Sequence, residues 1–515
     1  MTELRLVAGV DCSTQATKVL VCDAETGAVV REGRAPHPDA TQVDPAEWWK
    51  AWEIASDGLL DGVRAIAIGG QQHGMVLLDD SGEVVHPAVL WNDTSSADAT
   101  TELIAELGGA QTWAEAVGSV PVPSFTVTKL RWLRDEAARA TGEAHGAHSA
   151  GDAAHGAGGP RSDGSDGFAA AAAVAALRRD AVRRAAAVVL PHDWMTHRLA
   201  ADRSGIEGIT TDRGDASGTG WWSPTTNSYR TDLVELAFGR QLALPRVAGP
   251  AEIVGETAFG AAIAAGTGDN AAAALGLDLQ PGDVAVSLGT SGTAFARSAH
   301  PTADPTGLVA GFADATGEYL PLVCTLNAAR VMSATAQMLG LELSAFDEAA
   351  ITSPGSDGLV LLPFLDGERT PDLPHSTGLI YGLTRATMQP ATMARAAVEG
   401  LLCGLADAVD ALRDQGLPVH RVLLLGGGAR SRAVQALAPA LLGAEVVLPE
   451  PAEYVALGAA RQAAWALSGA ATPPTWQIPV GKPEPAITVN AAAIRANYAQ
   501  VLTNTRPLLS QPYNQ

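Results

Sequence analysis

VAGVDCSTQATKVLV, residues 7–21, and DVAVSLGTSGTAFAR, residues 283–297, decide how this chain folds. Each is an apolar run, a short turn of small polar residues and a second apolar run, which predicts two antiparallel strands joined by a tight turn. The copies lie about half a chain apart and share character with little identity. Such an internal duplication predicts two similar domains, expected to face one another across a cleft. The length of 515 residues exceeds what one hydrophobic core usually serves, in agreement with two domains.

Around the first copy, a third strand from Val29 to Arg34 completes a meander, and Asp44-Pro45-Ala46-Glu47 starts a helix. Val63 to Ile68 is a further strand that enters the polar turn Gly69–Gly74. Around the second copy, a long helix is predicted over Thr392–Leu412 and a strand over Val422–Leu425, which runs into Gly426-Gly427-Gly428. The expected division is 1–278, 279–470 and a C-terminal extension, 471–515, packing on the body. Ala140 to Gly167 is Gly, Ala, His, Ser and Asp with almost no large apolar residue, and reads as a disordered insertion. Its histidines, His145, His148 and His155, have no fixed geometry and make a poor metal site.

Composition narrows the function. A formal charge of −22 and a pI near 4.8 argue against nucleic acid and anionic membrane as partners. Backbone N–H groups can still bind the phosphates of a nucleotide. Cys12, Cys22, Cys324 and Cys403 are too scattered for a disulfide framework or a thiolate metal site. With no signal-like N-terminus and no membrane-length apolar run, a cytoplasmic protein is expected.

The candidate sites lie at the turns. Asp11, Ser13, Thr14 and Lys18 put a carboxylate, hydroxyls and backbone donors in one turn, the groups that phosphate and Mg²⁺ need. Surface hairpins also carry such residues, but the second turn, with Gly289, Thr290 and Ser291, makes a matched pair able to hold a polyphosphate. Gly427, Gly428 and Ala429 sit in a strand–helix turn that either serves the chain alone or lets a ligand approach closely. No Gly-x-x-x-x-Gly-Lys-Ser/Thr loop occurs, and no Gly-x-Gly-x-x-Gly follows the first strand. Gln72 and His73 at a strand end suit sugar hydroxyls, although a lone histidine there is by default structural. Asp269-Asn270 opens an apolar helix, and the pattern alone leaves a helix cap and a proton-accepting carboxylate equally open.

Together these pieces resemble the FGGY family of carbohydrate kinases from Val7 to about Ser468. One family signature is present as Ser124-x-Thr126-x-x-Lys129-Leu130-x-Trp132-Leu133-x-Asp135-Glu136. A second is present as Gly378-x-Ile380-x-Gly382-Leu383 and Ala396-Ala397-Val398-Glu399; it departs at Thr392, where Thr can cap a starting helix. The first phosphate turn departs as well, with Ser13 and Ala16 where glycines are common, and the insertion has no family counterpart.

The resemblance implies an α/β fold of two ribonuclease H-like domains of the actin and hexokinase type, facing an interdomain cleft. It implies a sugar kinase that uses ATP and Mg²⁺. Gln72-His73-Gly74, Leu90-Trp91-Asn92-Asp93 and Gly268-Asp269-Asn270 resemble blocks of family members that convert D-xylulose to D-xylulose 5-phosphate in pentose catabolism. Ribulose, a sugar alcohol or a sugar acid are the alternative acceptors, and a sugar-responsive ATP-binding protein without transfer chemistry is the remote one. On this resemblance Asp269 is the base, while Gln72, His73, Trp91 and Asn270 contact the ketose. Asp11 serves the metal, Ser13, Thr14, Lys18, Gly289, Thr290 and Ser291 serve the phosphates, and Gly427, Gly428 and Ala429 line the adenosine pocket. Asp215, in Gly-Asp-Ala-Ser-Gly-Thr, is a further family carboxylate, read as structural. At a reference pKa of about 3.9, Asp269 is a weak base for an alcohol. The expected partners are the ketose and ATP, with a homodimer as the candidate assembly.

Overall fold

Val7, Ala8, Val10 and Cys12 are buried on whichever face they point to, so the strand Leu6–Cys12 must lie inside a sheet covered on both sides. It pairs antiparallel with Ala16–Asp23, which pairs antiparallel with Val29–Pro36. On its other edge it runs parallel to Val63–Gly70, which in turn runs parallel to Ala262–Ala264. In the computed structural model, residues 5–139, 165–203 and 205–511 are described. Most of the expected insertion, 140–164 with its three histidines, lies outside them. Ser165–Gly167, expected to be irregular, already belong to the helix Ser165–Arg184.

The second half repeats the design. Asp283–Leu288 pairs antiparallel with Gly292–Ala296, which pairs antiparallel with Tyr319–Thr325. On the other side Arg421–Leu425 and Glu445–Pro449 continue the sheet in parallel. A meander on one side of the leading strand and parallel strands on the other is the ribonuclease H-like pattern that the resemblance implied.

The chain forms two compact units, Met1–Ala272 with Val455–Pro474, and Ala273–Tyr454 with Thr475–Gln515. The expected linear division therefore differs from the structure at 273–278, which belong to the second unit, and at 455–474, which return to the first. The cause is visible at Gly9, where a Cβ would lie 1.9 Å from the carbonyl oxygen of Ala456 and 2.3 Å from the nitrogen of Ala460. The Ala-rich helix Tyr454–Ser468 lies directly on the leading strand of the first sheet, and only glycine permits that approach. The helix Ala491–Leu509 buries Tyr498, Val501 and Leu509 in the core of the second unit.

The long helix is Pro390–Asp414, with Gln389 before it, so Thr392 lies within the first turn and does not cap it. Glu399 of the second signature accepts from Arg395 Nε at 2.6 Å, a buried ion pair one helical turn apart. Among the described residues no helix is long and apolar enough to cross a membrane.

Candidate active site

Three parallel strand ends gather the site in the first unit. Asp11 and Cys12 lie beside Gly69 and Gly70, and Gly69 and Gly70 lie beside Thr267 and Gly268. The residues that leave these ends, Ser13–Thr14, Gln71–His73 and Asp269–Asn270, therefore emerge at one edge, where ligands of parallel α/β sheets bind. Asp11 and Gln72 are buried, while Asp269 and Asn270 keep a solvent-reached edge.

Asp269 is the first residue of the helix Asp269–Gly276. Its Oδ1 accepts from the backbone N of Asn270 at 2.9 Å and from Asn270 Nδ2 at 3.1 Å. Asn270 Nδ2 also donates to Gln72 Oε1 at 3.0 Å, so residues 198 positions apart read one spot together. Burial, and then the charge of Asp11, push the carboxyl of Asp269 up to about 7, against the pull of the Asn270 N–H. Asp269 is thus a far better proton acceptor than the reference carboxylate considered above. Asp11 is held by Lys18, its partner across the hairpin, with Nζ 3.0 Å from Oδ2.

His73 adopts a left-handed backbone, φ 66°, a conformation that non-glycine residues seldom hold without support. Its Nδ1 lies 2.7 Å from the carbonyl oxygen of Gly218, and its ring stacks on Phe125 with centroids 4.8 Å apart. Thr126 Oγ1 donates to the carbonyl of His73 at 3.1 Å. Buried Lys129 donates to the carbonyls of Pro123, at 3.1 Å, and Ser124. The first family signature thus fixes the loop that presents Phe125 to His73. With a carbonyl facing Nδ1, that nitrogen carries the proton and a neutral ring has Nε2 as an acceptor.

The remaining predicted residues divide between the units. Trp91 Nε1 donates to Thr14 Oγ1 at 2.7 Å, which ties Trp91 to the first phosphate turn and spends its only polar group there. A hydrogen bond of 2.8 Å between His37 Nε2 and Thr17 Oγ1 braces the same turn, which contains Ser13. In the second unit, Ser287 and Leu425 are parallel neighbours, so the turns that follow them meet. A Cβ on Gly426, φ 81°, would lie 2.8 Å from the carbonyl oxygen of Leu288, and one on Gly428 would lie 2.9 Å from Leu288 Cβ. Gly289, Thr290 and Ser291 therefore stand against Gly427, Gly428 and Ala429. Nothing lies within 4 Å of where a Gly427 Cβ would be, so that backbone is open to approach.

No motif pointed to His192, which the structure places behind this edge. Its Nδ1 lies 3.1 Å from Asp193 Oδ1 and 3.3 Å from Asp215 Oδ2, all three side chains being fully buried. These are the one group among the described residues with a metal-like cluster of donors. The signal for it was slight: Leu190-Pro191-His192-Asp193 marks a buried strand passing into a helix start.

Residues 6–149 match the model for the N-terminal domain of the FGGY family of carbohydrate kinases, and 284–467 match that for its C-terminal domain. The chain is 43% identical to the xylulose kinase of Streptomyces coelicolor over 98% of both chains. The crystal structure of xylulose kinase from Bifidobacterium adolescentis superposes with a TM-score of 0.82 at 40% identity, covering 97% of this chain and 99% of that one. Plasmodium falciparum glycerol kinase with ADP shares the fold, with a TM-score of 0.74 at 16% identity over 99% of both chains.

Proposed function

The chain belongs to the FGGY family of carbohydrate kinases, and from that premise we propose that it transfers the γ-phosphoryl group of ATP to D-xylulose, forming D-xylulose 5-phosphate and ADP. The observation that carries the reading is Asp269, a carboxylate raised to about 7 beside the Gln72–Asn270 hydrogen bond. Gln72, Asn270, His73 Nε2 and the ring face of Trp91 bind the ketose, and Asp269 orients its terminal hydroxyl. As the new P–O bond forms and the bond to ADP breaks, the hydroxyl proton passes to Asp269. Asp269 stands as the first residue inside its helix, and the Asn270 N–H at that helix start keeps the carboxylate aimed.

Ser13, Thr14 and Lys18 from the first unit, and Gly289, Thr290 and Ser291 from the second, supply phosphate donors. Gly427, Gly428 and Ala429 serve the adenosine. The donor set fits Mg²⁺, because Asp11 and Asp269 crowd two carboxylates at one edge and oxygen donors suit a hard cation. Asp11 would hold the ion, whose chemistry when bound is to neutralise phosphate charge. A cytoplasmic location and a homodimeric assembly belong to the same proposal; sedimentation of the purified protein checks the second.

A panel of D-xylulose, ribulose, sugar alcohols and sugar acids, with coupled ADP detection and mass spectrometry of the product, tests the acceptor. The highest kcat/KM is expected for D-xylulose. A higher value on another acceptor rejects it, and ADP without any phosphosugar rejects transfer altogether.

A further inference from the structure

The segment Ala265–Gly268 carries Asp269, and it is fastened residue by residue to a buried charged cluster. His192 Nε2 lies 2.9 Å from the carbonyl oxygen of Ala265. A Cβ on Gly266 would lie 2.2 Å from His192 Nε2, and one on Gly70 would lie 2.7 Å from His192 Cβ. The ring is thus in direct contact with the segment, and the backbone and Cβ of the same histidine with the strand end that leads to Gln72. Thr267 Oγ1 donates to Asp212 Oδ2 at 2.6 Å. A Cβ on Gly268 would lie 2.6 Å from Asp215 Oδ1 and 2.7 Å from Gln72 Nε2, so both side chains pack on the residue that precedes Asp269.

The protonation of the cluster follows from the geometry. Both ring nitrogens of His192 face oxygens and a neutral imidazole donates from only one, which favours a positive charge on the ring. Burial pushes the Asp215 carboxyl up to about 8, so that the two groups share the proton. Burial opposes that charge, but Asp193 and Asp215 raise the pKa of His192 well above its ordinary value. Burying a cation among carboxylates is costly, and apolar residues of similar volume often serve stability as well or better. Here the cluster stands against the backbone that leads to the proposed base. None of its members lies in the set that touches the reactants.

We propose that His192 and Asp215 are a charged positioning pair that holds Ala265–Gly268, and through it Asp269 and the Gln72–Asn270 contact, in register for phosphoryl transfer. The proposal rests on the reading of Asp269 as the base. Displacing a reacting group by about 1 Å costs on the order of 100-fold in rate. His192→Gln and the near-isosteric Asp215→Asn are therefore each expected to lower kcat roughly 100-fold. The KM for ATP is expected to stay within about twofold, because uniform ATP binding is untouched. His192→Lys, which keeps a cation, is expected to recover at least about tenfold of the loss in His192→Gln, a rescue that packing alone does not predict.

Steady-state kinetics at 15 °C, with circular dichroism and thermal melting of each variant, separates the outcomes. A folded Asp215→Asn protein with kcat within about threefold of the parent overturns the pair, as does a fall in melting temperature with kcat unchanged. Should His192→Gln not fold, Asp215→Asn decides the question by the same criteria. Turnover retained by Asp269→Ala removes the base itself, whereas an inactive Asp269→Ala protein beside a normal Asp215→Asn protein removes only the pair.

Discussion

The two strand–turn–strand copies share a backbone design and differ in what their turns carry. The first places a part-buried ion pair, Asp11 with Lys18, across its hairpin, and braces its turn with Trp91 and His37. The second has no charged side chain between Val284 and Ala296; Thr290 is exposed, and its support is the glycine loop Gly426–Gly428 packed on Leu288. Duplication thus kept the scaffold, which depends on apolar alternation, and let the turns specialise. The first edge concentrates charge and, at Asp269, raises a carboxylate. The second carries hydroxyls and backbone N–H groups without a charged side chain, which suits the proposed phosphate ligand that brings its own charge.

Substitutions at matched positions break or sharpen this contrast. Within the turns the largest effect is expected from Asp11→Asn, which removes the carboxylate charge from the first of them. Sugar-dependent turnover in a coupled ADP assay should fall by roughly a thousandfold, the scale of losing a main electrostatic group. Gly428→Val acts on the second side, where even a Cβ would press on Leu288 at 2.9 Å. It should raise the KM for ATP about tenfold, some 1.4 kcal/mol of binding, with a smaller change in kcat.

Stability responds in the opposite sense to activity at Asp269. Its folded pKa, about 7, exceeds the unfolded value of about 3.9. The folded state therefore holds the extra proton between these values, and the stability this confers is complete below pH 4 and lost as pH rises through 7. Asp269→Asn escapes that loss. Urea melts should show the variant more stable than the parent by about 2 kcal/mol at pH 8, with the gap closing toward pH 4. The smallest effect is expected from Thr14→Val, which deletes the acceptor for Trp91 Nε1; about 1 kcal/mol of stability, read by the same melts, should be lost.

Much of the fold was open to a reading of the sequence because it rests on local periodicity. Leu6–Cys12, Asp283–Leu288 and the long helix Pro390–Asp414 announce themselves by apolar patterning. The return of Val455–Pro474 to the first unit does not, because its cause is a close contact with Gly9 more than 400 residues away. The site divides the same way. Asp11, Gln72, His73 and Asp269 could be singled out as residues at strand ends, but the pairing of Gln72 with Asn270 spans 198 positions and is made by sheet register. His192 carried no motif at all, and its significance lies in three glycines, Gly70, Gly266 and Gly268, that leave room for the cluster around it. The family signature at Ser124–Glu136 was legible as a pattern, yet its work, setting Phe125 beneath a left-handed His73, became visible only in three dimensions.

The proposed phosphoryl transfer turns on the carboxylate that follows the Ala265–Gly268 segment. Its most direct test is the Asp269→Ala protein, assayed for D-xylulose 5-phosphate by mass spectrometry while ATP binding is followed by calorimetry. The expected result is ATP affinity within about twofold of the parent and no phosphosugar above the uncatalysed rate. Turnover near that of the parent would show that another group takes the proton.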